Sequence, residues 1–419
     1  MAAGSVEVMV RRTRQVTPAL FDQVLSSGTQ FLAAVLIARV SSASLFGVAS
    51  AVLLVQGLVL GTVRALVGDI VLLRCRRPGA AVQHEASLGV GMAGSLGLAY
   101  AGLLGLVGLV AGGDLGRLLL VLAVVMPFGA SQDVLRSIAY GRQRVMDAVW
   151  LDSTWLIVQV ATSVVLFVTD RATATTLLLA WGAGAVASAL AGVVVGRVLP
   201  SLRGVRSWLR HDGRRSVGFL ADYLVSTGVI IVADLALGLI LPLAEYGALR
   251  LARLGISPLV NLIAGVRSLM LGRLAESAGS PRTVRRVAVS VGRMFALAMV
   301  MYGLLLTLMP VWVGEALFGS AWDGASAYVG VLALGEVFNF SLIPAVDVVR
   351  VLGTPRQLVR TRMWTAGVLV VVSLAFGALY GAEGVVWASL AVRVVSAYVW
   401  WSLAMRLTRS DAAEGVPAG

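Results

Sequence analysis

The sequence predicts an all-α, polytopic membrane protein of about twelve transmembrane helices, with both termini in the cytoplasm. Three observations carry that expectation. Of the 419 residues, 58% are hydrophobic and 13% charged, whereas a soluble domain carries roughly 25% charged residues. Mean hydropathy is +0.91, so the apolar surface exceeds what a water-soluble core can enclose. Finally, all 34 basic residues are arginine, mostly clustered in every second gap between apolar stretches. That alternation is the positive-inside pattern, and it requires an even number of spans.

A bilayer core about 30 Å thick takes roughly 20 apolar residues per helix. At that length the first six spans read Leu20–Val40, Ser44–Val67, Leu88–Ala111, Leu115–Ile138, Val149–Val168 and Thr175–Val195. The second six read Val217–Leu241, Tyr246–Val266, Val287–Met309, Ala325–Ala345, Met363–Tyr380 and Gly384–Ala404. One side of the membrane receives Arg11–Arg14, Arg74–Arg77, Arg142 with Arg144, Arg197–Arg215, Arg273–Arg286, Arg350–Arg362 and Arg406 with Arg409. The other receives short gaps such as Ser41–Ala43 and Thr169–Thr173, in which only Arg171 is clearly exposed. Glycine inside the spans suits closely packed lipid-embedded helices.

The expected organisation is a cytoplasmic segment 1–19, a six-helix bundle 20–196, a basic cytoplasmic linker 197–216, a second six-helix bundle 217–405 and a cytoplasmic tail 406–419. Two six-span halves are a common transporter plan. No cleavable signal peptide is evident, and the first span is expected to act as a retained signal. All-arginine usage with much Ala, Val, Gly and Leu fits a GC-rich bacterial genome and a multi-pass protein of the bacterial plasma membrane. The net charge of +13 is read as topology and contact with anionic lipid, not as nucleic-acid binding.

Soluble-enzyme motifs are missing. A phosphate-binding loop ending in Gly-Lys-Ser/Thr needs a lysine. No Cys or His pair has metal spacing; His84 and His211 read as solvated loop residues and Cys75 as a reduced thiol. No catalytic residue, metal site or cofactor is expected.

Ionisable groups inside spans are costly and therefore candidate functional residues. Arg250, Arg253, Ser257 and Asn261 fall within roughly 80° of helical arc, a cationic stripe able to bind a phosphate bidentately. The alternative is that both arginines pair with carboxylates and serve packing. Glu336, Asn339 and Asp347 form a second stripe, suited to neutralising the first or to holding a coupling proton or sodium ion. Asp347 reads as reaching water at a span end. Asp234 is the deeper aspartate of the seventh span, and Asp22 reads either as an ion site or as an interfacial helix-start residue. Arg64 is expected to snorkel to the surface, which is harder for Arg393 nearer mid-span. Asp133 and Arg136 read as an internal pair.

Several stretches resemble one family. Phe21-Asp22-Gln23 through Gly28-Thr29-Gln30-Phe31, then Ala38-Arg39 and Phe46-Gly47, look like the first two helices of polysaccharide and O-antigen flippases. These belong to the multidrug/oligosaccharidyl-lipid/polysaccharide (MOP) exporter superfamily. The turn Val40–Ser44 lacks that family's usual Gly-Pro. Tyr246–Arg250 through Pro258, Gly314–Trp322 and Gly381–Ser389 resemble its eighth-helix region, its outward loop and the turn into its last helix. The resemblance implies two bundles around a central cavity and movement of a polyprenyl-diphosphate-linked glycan to the outer leaflet, commonly driven by H+ or Na+. Of the polar residues inside spans, Arg250, Arg253, Ser257, Asn261, Arg393 and Arg64 are the candidates for a substrate-binding cavity, and Asp234, Glu336, Asn339 and Asp22 the candidates for a coupling ion. The alternatives are a drug/cation antiporter of the same superfamily and, last, a membrane-embedded glycan ligase or acyltransferase.

Overall fold

The computed structural model describes residues 2–76, 81–276 and 280–410, and among them every regular element is a helix. Among the described residues ten helical stretches are long and apolar enough to cross a membrane, so the chain is a multi-pass membrane protein. The twelve apolar segments fall inside helical stretches to within two residues at their ends, two of them running through a π-helical turn, and one stretch carries two segments. Met363–Tyr380 and Gly384–Ala404 both lie in α14 (Pro355–Ser410), which breaks at Gly381 (φ 65°, ψ −154°). The segment Tyr246–Val266 lies in α10 (Leu243–Glu276). The tail beyond Ser410 and the Arg77 end of the second basic gap lie outside the described residues.

The chain divides into two compact units, 1–235 and 236–419. The first contains α1 (Ala2–Arg39) and α2 (Ala43–Val63), which runs through a π-helical turn (Arg64–Gly68) into α3 (Asp69–Cys75). Next come α4 (Ala81–Ala111), α5 (Gly113–Gly141), α6 (Val145–Val168), α7 (Ala174–Val195) and α8 (Val205–Tyr223). Helix α5 is the unit's centre: it packs on α2, α3, α4, α6 and α7. Small residues make this possible. A Cβ at Gly97 of α4 would lie 2.6 Å from the Cα of Pro127 on α5. Helices α6 and α7 lock through Trp155 and Trp181, whose rings lie 5.1 Å apart. The Trp155 indole donates to the Trp181 carbonyl at 3.0 Å, which satisfies a buried N–H away from water.

The second unit contains the end of α9 (Val229–Ile240), then α10, α11 (Pro281–Thr307), α12 (Val311–Phe318), α13 (Trp322–Leu352) and α14. Helix α13 packs on α10, α11, α12 and α14. One end of its core is a cluster around Val284, Ala288, Val349 and Trp400. At the other end Trp322 is buried and stacks on Phe318 of α12 at 4.7 Å.

Candidate functional site

In the first unit α5 presents Gln132, Arg136 and Tyr140 on one face, one turn apart. That face meets Asp22 of α1 and Asp152 of α6, both buried. The Arg136 guanidinium donates to Asp22 at 2.6 Å and to Ser26 Oγ at 3.0 Å. Its Nε lies 3.2 Å from Asp152 Oδ2. The Tyr140 hydroxyl donates to Asp22 at 2.5 Å, and Gln132 donates to Asp152 at 2.9 Å. Two carboxylates therefore face one guanidinium, which leaves one formal negative charge in excess. Asp22 Oδ1 accepts no hydrogen bond. A lone buried anionic charge is expensive, so such a pocket favours a proton or a cation.

One turn before Arg136, Asp133 faces a different helix. It accepts a bidentate pair from Arg64, through Nε at 2.9 Å and through Nη2. Arg64 opens the π-helical turn, and such turns are frequent at functional sites. The pair is lopsided: 52% of the Arg64 side chain is accessible against 6% of Asp133. Asp133 thus anchors a side chain of which about half remains accessible.

In the second unit Arg393 of α14 donates to Glu336 of α13, whose other oxygen accepts from Asn339 at 2.8 Å. Lower on α13, Asp347 accepts from Arg267 of α10 at 2.8 and 3.2 Å. Helix α10 carries the stripe Arg250, Arg253, Ser257 and Asn261, all half-buried. The Ser257 hydroxyl turns back onto its own helix, donating to the Leu254 carbonyl at 2.8 Å. Asp234, in α9, is half-buried.

Three expectations are corrected, and Arg64 gains a partner. Asp133 and Arg136 are not a pair: each faces a carboxylate or guanidinium on another helix, because their side chains diverge around α5. Arg64 is held by Asp133 through two hydrogen bonds, a partner that its residue type alone did not give. Asp22 is no interfacial helix-start residue: α1 begins at Ala2 and the carboxylate is fully buried. Asp347 does not reach water, being 1% exposed beneath Arg267. The candidates thus separate into an Asp22 network and an Arg64 pair in one unit, and a Glu336–Asn339–Arg393 cluster and the α10 stripe in the other. Asp152 and Gln132 were missed, although each is a polar residue inside an apolar segment, the same signal that marked the others.

No family model matches the sequence, and no curated protein matches it either. Solved structures do match. A structure titled as the lipid II flippase MurJ in an inward closed conformation has a TM-score of 0.68 at 12% identity, covering 94% of this chain and 87% of its own. An inward-facing multidrug resistance MATE family transporter of the MOP superfamily has a TM-score of 0.63 at 16% identity, covering 94% and 96%. The MATE transporter ClbM in complex with Rb+ has a TM-score of 0.54 at 15% identity, covering 95% and 96%. The fold is that of MOP-superfamily transporters, the superfamily whose motifs the sequence resembles.

Proposed function

We propose that this chain is a flippase which moves a polyprenyl-diphosphate-linked oligosaccharide from the inner to the outer leaflet of a bacterial plasma membrane. It works by alternating access and draws on an H+ or Na+ gradient. The observation that carries this reading is the set of arginines inside membrane-spanning helices, above all Arg250 and Arg253 on one face of α10. A diphosphate crossing an apolar slab needs compensating positive charge along its way. Guanidinium groups supply it bidentately and stay charged throughout. Arg64 suits the same task, because Asp133 holds it while about half of its side chain stays accessible. The likeness to a structure titled as a lipid II flippase supports a lipid-linked substrate.

The coupling ion is assigned to the carboxylates. The Asp22–Arg136–Asp152 network, with its one uncompensated negative charge, takes up a proton or Na+ and releases it when the helices around it shift. The Glu336–Asn339–Arg393 cluster offers a second exchange: a substrate phosphate drawing Arg393 away would free Glu336 for a cation.

The second reading is a drug/cation antiporter, favoured by the same buried acidic excess and by the MATE neighbours. One experiment separates the two. Arg250→Ala and Arg253→Ala are expected to abolish glycan export while membrane levels stay normal. Normal export by both variants overturns the flippase reading of the stripe. Drug hypersensitivity of a deletion strain with no glycan defect establishes the antiporter.

A further inference from the structure

A cavity of about 810 Å³ opens in the first unit beside α8. Its walls are almost wholly carbon: Leu66 and Val67 of the π-helical turn, Met92 and Leu96 of α4, Leu209 and Val217 of α8. Sites for small organic ligands span about 300–1,000 Å³, and this one is in that range.

The cavity is built into the local architecture. Residues 197–204 are strapped across α4: Gln83 donates to the Arg197 carbonyl at 2.5 Å, and the Ser201 N–H donates to the Ser87 carbonyl at 3.0 Å. Gly91 of α4 meets the Ser201 backbone so closely that no side chain fits. The strap turns into α8 at Gly204, whose φ of +95° suits glycine. Helix α8 is then fixed at two points. Trp208 is buried against Ile70 and Leu88, and Arg74 bridges Glu85 (2.6 Å) and Asp212.

The surface around the opening has a particular chemistry. Arg206 lines the cavity and is exposed, and Arg210 follows one turn on, also exposed. Beside them Leu209 and Val217 are 54% and 62% exposed. Exposed arginines alternating with exposed aliphatic residues on one helix mark a segment lying at the boundary between lipid head groups and acyl chains.

We propose that this cavity holds one acyl chain of an anionic glycerophospholipid, with the lipid phosphate bound by Arg206 and Arg210. The walls, mostly carbon, match a hydrocarbon chain. Asp212 of the same helix is already engaged by Arg74, so the arginines at the opening favour an anion over a zwitterion. The inference is independent of the transport reading and needs only a membrane.

The test is native mass spectrometry of the full-length protein after equilibration with detergent micelles containing phosphatidylglycerol or phosphatidylcholine. One phosphatidylglycerol per chain is expected, retained roughly tenfold over phosphatidylcholine, which has the same phosphate but adds a choline cation that opposes the two arginines. Arg206→Glu with Arg210→Glu is expected to bring phosphatidylglycerol down to the phosphatidylcholine level. Leu209→Trp, which leaves the charges in place, is expected to lower retention of both lipids by filling the cavity. Equal retention of the two lipids by the wild-type protein overturns the proposal, whether or not either variant folds. So does unchanged retention in both variants, or displacement of phosphatidylglycerol by an equimolar polyprenyl phosphate, which would give the cavity to a carrier lipid.

Discussion

Arg136 donates to Asp22 and lies against Asp152, so the two carboxylates around it are not equivalent in what their loss would do. Removing the guanidinium leaves both aspartates buried without a counter-charge, and breaking a buried pair in this way costs about 3–5 kcal/mol. Arg136→Leu is therefore expected to lower the thermal midpoint of the purified protein sharply. Asp152→Asn acts in the opposite sense on charge: it removes the excess negative charge while Arg136 keeps Asp22 as partner. Its midpoint is expected to stay close to wild type, while transport loses its dependence on the driving ion. A midpoint for Asp152→Asn as low as that of Arg136→Leu would show that the excess charge is neutralised some other way. At this scale the sequence was partly legible. That Asp22, Arg64, Asp133 and Arg136 are out of place in lipid follows from residue type and position alone. Which of them meet does not, because partners 69 and 114 positions apart are set by how helices rotate about their axes. An apolar stripe shared by lipid-facing and core-facing sides cannot fix that rotation.

Individual helices were far more legible, because a span of about 20 apolar residues is an additive property of a local window. What a window cannot see is whether the backbone stops between two spans. Helix α2 continues through the π-helical turn at Arg64 into α3, so the second span runs on to Cys75, buried at its end. The gap between the last two spans is a single turn at Gly381, where φ is 65° and ψ −154°. That region of backbone space is open essentially only to glycine. The turn is closed by Glu245 of α10, which accepts from the Ala382 N–H at 3.0 Å. A Cβ on residue 381 would lie 2.7 Å from the same Glu245 oxygen. Gly381→Ala thus combines backbone strain of about 1–3 kcal/mol with loss of that hydrogen bond. It is expected to lower the thermal midpoint by several degrees, and Glu245→Gln, which keeps an acceptor without the clash, by much less. Equal midpoints for Gly381→Ala and wild type would mean that the turn relaxes freely.

For the whole molecule the arginine distribution sets an orientation that can be tested with the chain's own chemistry. Cys75 is the one cysteine in the sequence, so Cys75→Ser gives a background in which a single new thiol reports its side of the membrane. Thr169 lies in a gap whose only nearby cation is Arg171, and His211 lies in the most arginine-rich stretch; both are exposed. The positive-inside rule places the first outside the cell and the second in the cytoplasm. An impermeant maleimide added to intact cells is expected to label Thr169→Cys and to spare His211→Cys until the membrane is permeabilised. The reverse pattern would invert every leaflet assignment above. It would also remove the rationale for the proposed direction of transport, since a carrier loaded with glycan in the cytoplasm must first meet the face that carries the arginines. Labelling of both positions from outside would mean that an even number of spans, and not the single span Thr175–Val195, separates them. The proposed lipid site beside α8 would survive that inversion, because it needs only that the strap and α8 lie at a membrane surface, whichever surface that is.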